Sequence, residues 1–220
     1  MDFKKKIGLF VFSILGASTA MAGSATSLMQ TAPVIAPGQY EMKLQSDIIF
    51  NSGGGLNISP HLHTGLVENF FDIDAFFGTG KTGFMIGATT KYNLLPDLPE
   101  QMGLSFLGGV AVLKDKPNNA VEYAKTHPDY NPADGLTRGL ISLGIVASKD
   151  LQADFGTISP YAALQPEFLF RSDDSQFLLS LALGAHWVIA NSAPWSFYTE
   201  FGLSLRKSLY MLALGAAYPF

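Results

Sequence analysis

The strongest constraint on the fold is a period-two alternation of apolar and polar residues, which recurs from residue 39 to the end of the chain. Tyr40, Met42, Leu44, Ile48 and Phe50 alternate with Glu41, Lys43, Gln45 and Asp47. Only an extended strand places alternate residues on opposite faces. The pattern returns in Leu56, Ile58 and Leu62 against Asn57, Ser59, His61 and His63, and in Phe71, Ile73, Ala75 and Phe77 against Asp72 and Asp74. It continues through Phe84, Ile86 and Tyr92, through Phe106, Val110 and Val112, and through Ile141, Leu143 and Ile145. Leu164, Phe168 and Phe170, then Phe177, Leu179, Leu181 and Leu183, then Phe197, Phe201 and Leu203 complete the series. About ten strands can be counted, each near the roughly 9 to 11 residues that cross a bilayer at a tilt.

Such strands could pack as a sandwich in water or close as a barrel in lipid, and composition separates the two. Of 220 residues 48% are hydrophobic and only 15% charged, against about a quarter charged in ordinary globular chains. Little of this surface is built for water. Past the amino-terminal segment no apolar run is long enough for a membrane helix. The expectation is an all-β protein, a closed antiparallel up-and-down transmembrane β-barrel, with eight or twelve strands as the neighbouring even counts. The net charge of −4 argues against a nucleic-acid partner. The chain has no cysteine, so a disulfide scaffold, a thiolate metal site and a lipid-modified cysteine are excluded.

The first residues read as a targeting signal. Lys4, Lys5 and Lys6 precede an apolar stretch over residues 7–16, and Ala20-Met21-Ala22 fits the small-x-small cleavage pattern. Residues 1–22 are expected to be a cleaved signal peptide. Residues 23–38, with Pro33 and Pro37, read as a flexible periplasmic lead-in that could also tuck into the barrel mouth. Residues 39–220 form the barrel.

The connections fall into two sets. Residues 51–55, 78–81, 114–135, 171–175 and 206–208 are expected outside the cell, and 65–68, 93–101, 149–154 and 191–194 in the periplasm. The one long loop, 114–135, belongs to the outer set, where long loops of these barrels lie. Gly78-Thr79-Gly80-Lys81-Thr82 has the wrong glycine spacing for a phosphate loop and no following helix, so it reads as a hairpin.

The last segment places Tyr210, Leu212, Leu214, Ala216, Tyr218 and Phe220 on one face, with Met211, Ala213, Gly215 and Ala217 opposite. Here the chain resembles the bacterial outer-membrane β-barrel family, whose members end in an alternating strand with a terminal phenylalanine. The resemblance is one of general pattern and singles out no subfamily. It implies an outer-membrane location, lipid contact, and recognition by the barrel-assembly machinery through Tyr210, Leu212, Leu214, Tyr218 and Phe220. Pro219 departs from the pattern and is tolerable only near a strand end.

Parity then assigns the interior. Glu41, Asp47, Asp72, Asp74, Glu167 and Glu200 are expected to line the lumen with Lys43, Lys91, Arg138 and Arg206, leaving it mildly negative. Small inward residues, among them Gly144, Gly184, Gly202, Ala213 and Gly215, leave space on one side. The densest polar cluster is His61 and His63 against Asp72 and Asp74, with His61 counted beside Asp72. It reads as a lumen charge network before it reads as a metal site or an acid–base pair. No metal or other cofactor is expected. Ser180 and His186 lie six positions apart on one strand, about 20 Å at strand rise, too far to share a proton.

The leading reading is a non-enzymatic barrel forming a narrow channel for small solutes or ions. A non-conducting structural or surface-interaction barrel is the alternative, and a lipid- or peptide-modifying enzyme ranks below both.

Overall fold

Strands with one apolar and one polar face can satisfy all their edges by closing on themselves. The computed structural model describes residues 28–50, 54–115, 136–170, 175–190, 194–205 and 209–220. These form such a closed sheet: β1 (Tyr40–Ile49), β2 (Gly55–Val67), β3 (Phe71–Gly80), β4 (Gly83–Leu95), β5 (Gly103–Lys114), β6 (Thr137–Ser148), β7 (Leu151–Ala153), β8 (Gly156–Phe170), β9 (Ser175–Ile189), β10 (Ser196–Ser204) and β11 (Leu209–Pro219). Successive long strands pair antiparallel, and β1 closes the ring on β11 with Met42 opposite Tyr218 and Ile48 opposite Leu212. The three-residue β7 pairs only with the start of β8, whose remainder pairs with β6. Eleven strands less this short one leave ten in the wall.

One end of the barrel, the turn end, carries the start of β1, the carboxyl terminus and the β2–β3 turn. Phe220 donates its amide to the Tyr40 carbonyl there, so Pro219 sits at the strand end, where it costs no ladder bond. The β2–β3 turn is tight. Asn69 adopts φ +61°, a left-handed conformation that asparagine tolerates better than most residues. At the other end β3 runs on to Gly80 and only Lys81 and Thr82 turn, so the loop expected at 78–81 is shorter than its sequence suggested. Gly83 permits this turn: its φ is +98°, and a Cβ would lie 2.1 Å from the Lys114 carbonyl oxygen. Residues 1–27, which include the expected signal peptide, fall outside the described residues, as do 116–135 of the long loop and Arg206.

The wall is inverted relative to a water-soluble protein. Leu44, Val110, Leu143, Leu183 and Phe201 are exposed on the outside, while Lys43, Asp47, Asp74 and Glu200 on the alternate parity are each 1% exposed. An apolar outer wall around a polar interior is the polarity of a barrel whose outer solvent is lipid. Stacked aromatic pairs, Tyr40 with Phe220 and Phe70 with Tyr92, stand at the turn end of this wall. That is the level of a membrane interface.

Candidate functional site

Among the described residues the lumen is where chemistry is concentrated, and it is occupied. Residues 28–36 run inside the barrel from mid-height to the turn end, with Leu28, Met29, Gln30 and Ala32 buried. The described part of the segment read from sequence as a lead-in is therefore an internal strap over residues 28–36. Among its described residues, Pro37 and Gly38 alone are exposed.

Alternation along β1 to β4 builds the charged part of the seat. The register places His63 opposite Asp74 and His61 opposite Phe76, with a bulge between Gly65 and Val67. Side chains then cross diagonally. His61 Nδ1 meets Asp74 Oδ1 at 3.0 Å, and His63 Nε2 meets Asp72 Oδ2 at 2.9 Å. The expected pairing of His61 with Asp72 is thus corrected by one rung on the same face, because the turn lies nearer Asn69 than the count assumed.

Each carboxylate also holds a lysine and the strap. Asp74 lies 3.0 Å from Lys43 Nζ and accepts from the Gln30 side-chain Nε2 at 3.2 Å. Asp72 lies 3.2 Å from Lys91 Nζ and accepts from the Ile35 amide at 3.3 Å. The lysines reach on to strap carbonyls, Lys43 to Met29 at 3.2 Å and Lys91 to Thr31 and Pro33 at 3.0 and 2.7 Å. Buried charges are costly unless paired and hydrogen-bonded, and here each pair is completed by the strap.

The opposite wall completes the seat. Glu200 accepts the amides of Leu28 and Met29 at 3.0 and 2.7 Å and the Tyr161 hydroxyl at 2.8 Å. Ser148 accepts from the Ala32 amide at 2.9 Å, and Ser105 donates to the Ala32 carbonyl at 2.6 Å. Small residues make the room. A Cβ on Gly215 would lie 2.7 Å from Met29 Sδ, and one on Gly103 would lie 3.2 Å from Ala32 Cβ. The free space anticipated beside Ala213 and Gly215 is thus filled by Met29, which packs with Tyr198, Ala213 and Ala217.

Toward the far end, Arg138 pairs with Asp115, and Glu167 and Asp47 are buried in the same interior. Glu41 lies on the turn side, 3.7 Å from His63 Nδ1. His186 stands opposite Ser159 and Tyr198 and stacks on the Tyr198 ring, while Ser180 is opposite Ser204, so Ser180 and His186 do not meet. Among the described residues no group of three His, Asp or Glu converges as a metal would require. Sequence reasoning passed over Ser105, Ser148, Tyr161 and Tyr198. They share the parity of the charged lumen residues, and that is the signal that could have found them.

A cavity of about 290 Å³ remains at the turn end between the strap and the wall, lined in part by Ile35, Glu41, His63, Asp150, His186 and Tyr198. Just outside the span, Lys149 bonds Asp97 at 2.8 Å, and the Asp150 amide donates to Asp97 at 2.6 Å. Burial works to raise the Asp97 carboxyl, but the Lys149 and Asp150 donors outweigh it and hold it below its ordinary value.

No family model and no curated protein matches the chain. Solved structures similar to it include a de novo designed transmembrane β-barrel, at 14% identity and TM-score 0.38, covering 85% of this chain and 99% of that one. The β domain of the Bordetella autotransporter BrkA is 12% identical with TM-score 0.48, covering 84% and 99%. The outer membrane protein Omp33 of Acinetobacter baumannii is 10% identical with TM-score 0.38, covering 87% and 100%.

Proposed function

We propose that the protein is a narrow polar passage for small solutes or ions across the bacterial outer membrane, closed by its own amino-terminal strap. One observation carries this reading: in the turn-end half of the barrel the lumen is lined largely by charged and polar side chains, and the space they leave is filled by a separate stretch of chain. Phe76, Leu113, Leu140 and Leu169 pack the far half. An eight-stranded barrel is just filled by its side chains, and ten strands enclose more than that. The strap supplies the difference in the turn-end half through reversible hydrogen bonds, so displacing it would open a water-accessible, mildly acidic path through that half, leaving the apolar side chains beyond it as the remaining constriction. The amino-terminal signal and the Tyr218–Phe220 ending support export and assembly in the outer membrane.

Planar-bilayer recording tests the passage. The intact protein is expected to be mostly silent, and Gly65→Ala, which crowds the strap's entry, is expected to give discrete cation-preferring openings. If Gly65→Ala frees the strap and the barrel still does not conduct, the passage reading fails. A second reading, a permanently closed structural barrel, is favoured by the strap's bonds along most of its length and would then stand.

A further inference from the structure

The strap is held like a ligand. The barrel wall closes by its own strand pairing, to which the strap adds a single bridge between Pro37 and Gly65. Apart from the two bonds donated by Gln30 to Asp74 and Thr89, the hydrogen bonds that seat the strap use its main chain. Glu200 reads two consecutive amides, Ser148 and Ser105 read both main-chain groups of Ala32, and Lys43 and Lys91 read three carbonyls. Main-chain reading gives affinity with little demand on sequence. Side-chain demands arise at two depths, a flexible apolar pocket over Gly215 for Met29 and a tight one over Gly103 for Ala32. Nearer the mouth, the cavity of about 290 Å³ leaves the side chains of Pro33, Val34 and Ile35 room to vary. Residues 28–36 carry no charge, which suits a seat whose lysines and aspartates already neutralise one another.

We propose that the lumen is a binding site for an uncharged peptide that enters from the turn end and bends inside the barrel, with residues 28–36, in which Met29 has φ +38°, as its resident occupant. This deepens the passage reading, since the same seat would be the gate. It assigns the interior a ligand class: a bent, uncharged segment with a Met-like residue and, three positions on, a residue no larger than alanine.

The test keeps the full chain and cuts it after folding. A site-specific protease sequence is inserted after Gly38, which is exposed and has nothing within 4 Å of its Cβ position. After cleavage the fragment is expected to co-elute with the barrel and to exchange with an acetylated copy of residues 28–36 carrying a fluorophore at its carboxyl end, to one per barrel. A copy N-methylated at the amides matching Met29 and Ala32 keeps every side chain but loses charge-assisted and neutral bonds, and should bind at least about tenfold more weakly. A copy altered at the positions of Thr31, Val34 and Ile35 should bind within about threefold, because main-chain bonds carry the affinity. In the uncut chain, Gly65→Ala should admit the labelled copy while the unaltered protein takes none.

Loss of the fragment with no uptake of label, by a barrel that keeps heat-modifiable gel migration, would overturn the proposal. Equal binding to uncut protein, or indifference to N-methylation, would overturn it as well. Conductance of the same samples separates the two readings. Peptide exchange in a silent barrel keeps the binding site and defeats the passage, whereas a conducting barrel that takes up no peptide does the reverse.

Discussion

Glu200 Oε2 lies 2.7 Å from the Met29 amide, so a carboxylate on β10 accepts from a residue 171 positions earlier in the chain. Its other oxygen accepts from Leu28 at 3.0 Å. One side chain therefore anchors the deep end of the strap. Glu200→Gln keeps the volume but removes the charge and turns one acceptor into a donor facing an amide. Each lost bond to a charged group costs about 1.5–3 kcal/mol. Because the chain has no cysteine of its own, a single Thr31→Cys, close to threonine in volume, reports strap exposure, and its thiol labelling should accelerate about tenfold or more in the Glu200→Gln background. Unchanged labelling would mean Glu200 does not hold the strap.

Gly65 marks the strap's entry. A Cβ there would lie 2.2 Å from the Ile35 carbonyl oxygen and 2.5 Å from Ala36 main-chain atoms. Neither neighbour is a flexible side-chain end, so Gly65→Ala should displace residues 35–36 while the β2 ladder persists. Circular dichroism should stay that of a β-barrel, and Thr31→Cys labelling should rise.

Lys43 and Asp74 form a pair buried to 1% and 2% side-chain exposure. Removing one partner strands the other, at a cost of about 3–5 kcal/mol. Asp74→Leu alone should therefore destabilise the barrel strongly in guanidinium unfolding from lipid vesicles, and adding Lys43→Met should restore much of the loss. Strict additivity of the two single losses would show that the pair does not act as a unit.

The outer wall predicts a depth profile. Arginine in place of Leu143, midway along β6 and 41% exposed, should cost about 2–4 kcal/mol, whereas arginine in place of Leu95 at the end of β4 should cost about 0–1. Equal costs at the two positions would argue that this face does not meet lipid.

Asp97 supplies a pH dependence outside the span. Its carboxyl is held below the ordinary value, so its bond to Lys149 contributes stability that is complete above about 3.9 and is lost as pH falls through the lowered value. In unfolding measured between pH 2 and 6, this part of the acid sensitivity should be absent from Asp97→Asn. A variant with the same acid profile as the unaltered protein would remove the clamp from the account.

What could be read in the chain was whatever a local period encodes. Alternation set each strand's two faces, so the inward parity of Lys43, Asp74 and Arg138 and the outward parity of Leu44, Ile86 and Leu143 were legible in the sequence itself. The closing strand was legible too, because Tyr210 to Phe220 alternate in phase with the last residue. Register was less so. His61 meets Asp74 instead of Asp72 because a bulge and a tight turn at Asn69 shift the count, and a turn's geometry is only weakly encoded in its residues. The strap was undecided in the sequence. Residues 28–36 have no period and no charge, and they are recognised through main-chain groups that every residue carries. Only the closed barrel decides their place, by bringing Glu200, Lys91 and Ser148 from distant strands around one buried stretch of backbone whose amides and carbonyls must find partners away from water.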